Sequence, residues 1–148
     1  MTTYLVDTNV LLRFVLRSNP SYPATRRMYR TLRQRGDRLS ITSQNCIEFW
    51  NVATRPFNRN GLGLSVNEVR RQLRFVERTF PLLLDTPDVY TIWRQLVVAY
   101  GVSGVQVHDA HLVAAMLANG ITHILTFNAA DFTRYTGAGI VVVDPESI

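Results

Sequence analysis

Along the chain, short apolar runs alternate with longer amphipathic stretches. The short runs, several rich in β-branched residues, predict strands at residues 4–6, 39–42, 80–84, 122–127 and 140–143. Apolar residues spaced three or four apart predict helices at residues 10–15, 24–35, 44–54, 66–78, 88–100 and 107–120, with a shorter helix at 129–135. Ser43 is the predicted N-cap of the third of these helices.

Strands that alternate with helices imply parallel strands joined by right-handed crossovers. We therefore expect an α/β fold, a three-layer α/β/α sandwich around a central parallel sheet of about five strands. The Pro/Gly/Asn-rich stretch at 55–63 is too short for a domain linker, and no internal repeat is present. Residues 1–148 are accordingly expected to form a single domain.

The composition is that of a folded protein, with 47% hydrophobic and 18% charged residues. Every apolar run is shorter than a membrane span, and the N-terminus lacks a basic segment followed by an apolar one, so we expect a cytoplasmic protein with no membrane partner. The lone Cys46 cannot form an internal disulfide or a cysteine-based zinc site.

The net charge is +5, and all 16 basic residues are arginines. The absence of lysine excludes Schiff-base and P-loop chemistry and disfavours a phosphoacceptor receiver domain. Arginine binds phosphate in bidentate fashion, so a basic, arginine-only surface is compatible with nucleic acid. The arginine-rich stretch at 26–38 is equally typical of a solvent-exposed helix face that binds no nucleic acid.

Four of the 11 acidic residues lie in or beside apolar elements. Asp7 ends the first predicted strand, Glu48 lies in the helix after the second, Asp109 falls in the first turn of a nearly all-apolar helix, and Asp131 starts the short helix after the fourth strand. The carboxyl ends of parallel strands share one edge of a sheet, where such folds place their ligands. We expect the four carboxylates to gather there.

Gathered carboxylates repel each other and require a counter-charge. Oxygen ligands without Cys or His at metal spacing favour a hard ion, Mg²⁺ or Mn²⁺. That arrangement is typical of metal-assisted phosphodiester hydrolysis. Plainer roles stay open for the same side chains: helix capping for Asp7, Asp109 and Asp131, and pairing with an arginine for Glu48.

Four stretches, in their order along the chain, resemble the motifs of the PIN-domain ribonucleases. Within that family they resemble the VapC-type toxins of toxin–antitoxin pairs. The stretches are V-D-T-N at 6–9, S-Q-N-C-I-E-F at 43–49, H-D-A-H-L-V-A-A-M at 108–116 and L-T-F-N-A-A-D-F at 125–132. One departure is Asn128, which stands two residues after Thr126, where some members carry the last acid. Asp131, a water or the Asn128 carbonyl would then complete the site.

The resemblance implies a Mg²⁺- or Mn²⁺-dependent endoribonuclease that cuts cellular RNA and inhibits translation as the toxin of a type II pair. It implies a homodimer neutralised by a cognate antitoxin whose C-terminal segment occupies a groove of the toxin. The implied catalytic and metal-binding residues are Asp7, Glu48, Asp109 and Asp131. The residues implied to orient ligands or water around them are Thr8, Asn9, Thr126 and Asn128.

Two rival interpretations remain at this point. The altered last motif favours a catalytically weak PIN-like module that binds RNA or a protein without cutting it. A DNA-directed or flap-type nuclease of the same broad fold ranks third, because the chain lacks room for the extra helices such enzymes need.

Overall fold

The computed structural model describes residues 1–148, and its centre is a five-stranded sheet in the order β3-β2-β1-β4-β5. The strands are β1 (Thr3–Val6), β2 (Arg38–Thr42), β3 (Leu82–Leu83), β4 (His123–Leu125) and β5 (Val141–Val143). Every neighbouring pair is parallel. The predicted parallel sheet of about five strands is confirmed, with β1 in the middle.

Six α-helices connect and cover the strands. They are α1 (Thr8–Val15), α2 (Tyr22–Gln34), α3 (Ser43–Thr54), α4 (Val66–Thr79), α5 (Pro87–Ala99) and α6 (Val107–Ala118). None of them combines the length and the apolar character that a bilayer crossing requires.

The core lies in two apolar layers, one on each face of the sheet. Successive side chains of β1 point to opposite faces of the sheet, as the two-residue period of a strand requires. Tyr4 and Val6 therefore lie in the first layer and Leu5 lies in the second. The first layer packs the sheet against α1 to α4, and the second packs it against α5 and α6. The three-layer α/β/α sandwich is thereby confirmed.

Helix α3 begins directly where β2 ends, and its cap differs from the prediction. Thr42, not Ser43, is the N-cap: its hydroxyl accepts from the Asn45 N–H at 3.2 Å, while the Asn45 side chain accepts from the Thr42 N–H at 2.9 Å. This reciprocal pair is a capping box. It starts the helix without a connecting loop and so fixes where the middle of α3 lies relative to the sheet edge.

Two predicted elements are shorter or different in the structure. The apolar run at 80–84 yields only the two-residue β3, because Pro81 cannot donate to the ladder and the strand lies at an edge where Leu82 and Leu84 are exposed. The predicted short helix at 129–135 is divided in two, and neither part is an α-helix. That stretch forms two 3₁₀ segments, Ala129–Asp131 and Thr133–Ala138, in a sequence with Thr and Gly residues of low helix propensity.

The indole of Trp93 ties α5 to the beginning of α6. Its Nε1–H donates to the carbonyl of Val107 at 2.9 Å, and the ring packs with the second core layer. Since Val107 is the first residue of α6, this bond helps to set the position of the first turn, which contains Asp109.

Candidate active site

Asp7 lies at the carboxyl end of the central strand. Its backbone N–H donates to the Leu125 carbonyl of β4 at 2.9 Å, and its own carbonyl accepts from the Val10 N–H at 3.0 Å in the first turn of α1. The residue therefore directly follows β1 and is the N-cap of α1. Only 7% of it is exposed.

Both oxygens of the Asp7 carboxylate accept hydrogen bonds. Oδ1 accepts from the Thr8 N–H at 2.7 Å, and Oδ2 accepts from the Thr126 hydroxyl at 2.7 Å and from the Asn9 amide at 3.2 Å. Capping thus accounts for one of these bonds only. The other two hold the second oxygen at a fixed place beside the end of β4.

Asn9 and Thr126 join the ends of β1 and β4 into one polar network. The Asn9 Nδ2 also lies 3.3 Å from the Thr126 hydroxyl, and its Oδ1 accepts from the Phe127 N–H at 3.2 Å. The Thr126 oxygen, which is fully buried, accepts in turn from the Asn128 N–H at 3.0 Å. Residues from the first and last sequence motifs therefore meet around Asp7.

Glu48 lies on α3 and is held from two sides. The Thr8 hydroxyl donates to its Oε2 at 2.8 Å, and the Gln44 amide donates to its Oε1 at 2.8 Å. The Thr8 oxygen accepts at the same time from the buried Asn45 amide at 3.2 Å. The hydrogen bonds of Glu48 come from polar neutral groups and not from an arginine, so its charge is oriented without being neutralised.

Asp109 and Asp131 approach the same place from α6 and from the turn after β4. Asp109 lies half-buried in the first helical turn, as predicted. Asp131 is exposed and ends a 3₁₀ segment, whereas the sequence placed it at the start of a helix.

These four carboxylates line one open cleft of about 270 Å³. The cleft residues are Asp7, Thr8, Asn9, Leu12, Glu48, Asn51, Val52, Asp109, Asn128 and Asp131. Of the eight residues singled out in the sequence, seven line it, and Thr126 lies directly behind Asp7.

The electrostatics of the cleft are those of uncompensated negative charge. Burial raises the pKa of Asp7 from 3.8 to about 6; the carboxylates of Glu48 and Asp131 add to the rise, and hydrogen bonds from Thr126 and Thr8 oppose it. Burial likewise raises the pKa of Asp109 from 3.8 to about 7, reinforced by Asp7, Asp131 and Glu48 and opposed by Arg134. Glu48 and Asp131 therefore act through space on both Asp7 and Asp109.

The donor set fits a hydrated divalent cation better than a tightly caged one. No group of three or more His, Cys, Asp or Glu side chains is arranged to hold a metal ion directly. Mg²⁺, however, is commonly bound by one or two carboxylates while it keeps several waters. The raised pKa values of Asp7 and Asp109 mark the charge that such an ion would compensate.

Two polar contacts of the site were not anticipated from the sequence. They come from Gln44 and Asn45, which bond Glu48 and Thr8 and which the helical pattern alone does not single out. The spacing of Gln44 and Glu48, four residues apart on one helix, was a usable signal, because such residues are neighbours on the helix surface. Asn45 carried a weaker signal, its place three residues after Thr42.

The fold and the acidic cleft define the class: an α/β/α protein with carboxylates from four separate segments at the carboxyl edge of a parallel sheet. The sequence profile of the PIN domain matches residues 4–138. The chain therefore belongs to the PIN domain family. No curated protein matches it in sequence.

Solved structures of similar fold span nearly the whole chain. VapBC-1 from nontypeable Haemophilus influenzae matches at 14% identity with a TM-score of 0.66, covering 97% of this chain and 98% of that one. DNA-bound VapBC from Salmonella typhimurium matches at 18% identity with a TM-score of 0.68, covering 98% of this chain and 99% of that one. VapC20 from Mycobacterium tuberculosis is described as a sarcin-ricin loop cleaving toxin. It matches at 17% identity with a TM-score of 0.68, covering 96% of this chain and 99% of that one. At these identities the likeness establishes the fold.

Proposed function

We propose that this chain is a metal-dependent endoribonuclease and the toxin of a type II toxin–antitoxin pair. The observation that carries the proposal is the convergence of four carboxylates, from four segments of the chain, on one cleft of a PIN fold. Uncompensated acids destabilise a folded protein, and a divalent cation is the simplest group that would relieve their repulsion.

In this proposal Asp7, Glu48, Asp109 and Asp131 hold Mg²⁺ or Mn²⁺. When bound, such an ion stabilises charge that develops on a phosphate and makes a water molecule more acidic. The residues around the acids keep them oriented: Thr126 and Asn9 hold one oxygen of Asp7, and Thr8 holds one oxygen of Glu48. Asn128 lines the cleft beside Asp131 and is placed to contact substrate or water.

The chain offers a surface for a polyanionic substrate next to the helix that carries Glu48. Four arginines lie along one face of α4 together with Leu73 and Glu77. They are Arg70, Arg71, Arg74 and Arg78. Helix α4 packs against α3, so this arginine face and the acidic cleft lie on neighbouring elements. Arginines bind nucleic-acid phosphates through charge and bidentate hydrogen bonds. Among nucleic acids we propose RNA as the substrate, because the similar VapC20 is described as a sarcin-ricin loop cleaving toxin.

Biological partners enter the proposal through the similar structures. Those from Haemophilus influenzae and Salmonella typhimurium are VapBC assemblies, and VapC20 is described as a toxin that cleaves the sarcin-ricin loop. For the present chain we propose a cognate antitoxin, a homodimer, inhibition of translation through RNA cleavage and, since that RNA is cellular, action in the cytoplasm.

The primary experiment compares RNA cleavage by the wild type and by Asp7→Asn and Asp109→Asn, each with Mg²⁺, with Mn²⁺ and with a chelator. Cleavage is expected only for the wild type with metal. Asp88→Asn is the matched control, since Asp88 is an acid in the first turn of α5 and has no part in the cleft. Parallel reactions on single-stranded RNA, tRNA and DNA test the assigned substrate class.

A second candidate function is supported by Asn128, which stands where some members carry an acid. It is a PIN-like module that binds RNA or a protein without cutting. RNA binding that is equal with metal and with chelator, in the absence of any cleavage, would favour this function over the nuclease.

A further inference from the structure

The side chain of Gln44 forms a bridge between α3 and α6. Its Nε2 donates to Glu48 Oε1 at 2.8 Å and to the backbone carbonyl of His108 at 2.7 Å. Its Oε1 contacts Nδ1 of His111. One amide thus connects a candidate metal ligand on α3 to two residues that flank another, Asp109, on α6.

The chemistry of the neighbours fixes which way this amide points. The His108 carbonyl can only accept a hydrogen bond, and so can an ionised Glu48. The NH₂ group must therefore face these two oxygens, because a flipped amide would set its oxygen against both. With the NH₂ group so placed, Gln44 Oε1 is left facing the ring of His111.

The same constraint specifies the tautomer of His111. An amide oxygen only accepts, so Nδ1 of His111 must carry the hydrogen. His111 thereby adds a third hydrogen bond to the Gln44 amide, which also bonds Glu48 and the His108 carbonyl. His108 takes part through its backbone alone, and its side chain is exposed.

The Glu48 carboxylate is therefore held by two hydrogen bonds whose donors lie on different helices. Oε2 is held by Thr8 of α1 and Oε1 by Gln44, which is itself anchored on α6. Helix α1 directly follows Asp7, α3 contains Glu48 and α6 contains Asp109. The hydrogen bonds of Glu48 and Gln44 therefore connect three helices that each position one acid of the cleft. Gln44 and His111 lie outside the cleft and border a separate cavity of about 360 Å³.

We propose that Gln44, held by the Nδ1–H of His111, is a positioning residue that fixes the Glu48 carboxylate relative to Asp109 for binding of the divalent cation. The proposal rests on the proposed metal-dependent function and adds two residues to it. A glutamate carboxylate on three rotatable bonds otherwise samples many orientations, and partners that orient metal ligands commonly change metal affinity or activity by about 10–100-fold.

The test uses pairs of variants of the full-length chain. Gln44→Ala removes the bridge, and His111→Ala removes the donor that orients it. His111→Asn is the conservative variant, because the asparagine NH₂ group can stand in for Nδ1–H. His108→Ala is the matched control on the same helix, since it removes an imidazole and leaves the backbone carbonyl in place.

Three readouts are taken. Mn²⁺ affinity is measured without RNA, kcat and KM are measured for RNA cleavage, and the tautomer of His111 is read from ¹⁵N–¹H correlation spectra of the metal-free protein at pH 8.5. We expect Gln44→Ala and His111→Ala to weaken Mn²⁺ binding and to lower kcat by about 10-fold, with KM within about twofold of the wild type. His111→Asn and His108→Ala should stay near wild type, and Gln44→Ala should shift His111 away from the Nδ1–H tautomer.

The outcomes separate the two proposals. Wild-type cleavage and Mn²⁺ binding that survive unchanged in Gln44→Ala would overturn the positioning role and leave the nuclease standing. Equal losses in His111→Asn and His111→Ala, or an Nε2–H tautomer in the wild type, would also overturn it. A wild type that neither binds Mn²⁺ nor cuts RNA would overturn the proposed function, and the positioning role with it.

Discussion

Replacing Asp109 by asparagine should stabilise the metal-free protein at neutral and alkaline pH. The structure assigns no hydrogen bond to the Asp109 carboxylate, and its pKa is raised from 3.8 to about 7 by burial and by the neighbouring acids. A raised carboxylate pKa means that ionisation costs free energy in the folded state. Asparagine has the same shape and carries no charge, so the substitution removes that cost.

The magnitude follows from the pKa. A rise of about three units corresponds to about 4 kcal/mol at 1.36 kcal/mol per unit. Asp109 is only half-buried, and solvent screening reduces this to about 2 kcal/mol. For a domain of this size, about 2 kcal/mol should raise the Tm by about 4–8 °C.

The pH dependence has a definite sign. Between pH 3.8 and about 7 the unfolded chain has lost the Asp109 proton and the folded protein keeps it, so the wild type loses stability as pH rises through this window. Asparagine has no such dependence. The gap in Tm between Asp109→Asn and the wild type should therefore be largest above pH 7 and close towards pH 4.

The assay is thermal unfolding by circular dichroism in a chelator at pH values from 4 to 8.5. Asp88→Asn is again the control, because loss of an exposed first-turn acid should lower stability by about 0.3–1 kcal/mol. A Tm of Asp109→Asn at or below that of the wild type at pH 8, or a gap independent of pH, would refute the reasoning. Added Mn²⁺ should reverse the order by stabilising the wild type more than the variant.

Further predictions concern the frame of the site and its basic surface. Thr126→Val should lower the free energy of unfolding, measured by urea titration, by about 2 kcal/mol, because the buried Asp7 carboxylate loses a hydrogen-bond donor. Thr126→Ser keeps the hydroxyl and should retain most of the wild-type stability in the same assay. Trp93→Phe should cost about 1 kcal/mol through the lost bond between α5 and α6; a similar cost for Trp50→Phe, whose indole makes no such bond, would contradict this. Arg74→Gln should reduce the salt dependence of RNA binding by about one unit of log–log slope, and Arg94→Gln on α5 should leave it unchanged.

The parts of the site that sequence could predict are those set by a single element. Asp7 follows an apolar strand and Asp109 falls in the first turn of an apolar helix, so their places at the sheet edge follow from the pattern alone. The structure brings them and the other singled-out residues together, and the metal-binding roles given to them remain a proposal.

What sequence could not supply depends on side chains that meet from distant segments. Gln44 and His111 are 67 residues apart, and no local pattern reports that the third and sixth helices meet at that point. The turn that contains Asp131 was predicted as a helix because its apolar residues have helical spacing. The threonines and glycines after it favour 3₁₀ turns instead, and these leave the carboxylate exposed.

The central place of β1 gives the cleft a rigid wall on the side of Asp7. Strand β1, which Asp7 directly follows, contributes side chains to both apolar layers, so backbone amides of β1 should be among the slowest to exchange with deuterium. Asp131 itself is exposed on a short 3₁₀ segment, which the next residue, Phe132, anchors in the second apolar layer, so the amides of this segment should exchange sooner than those of β1.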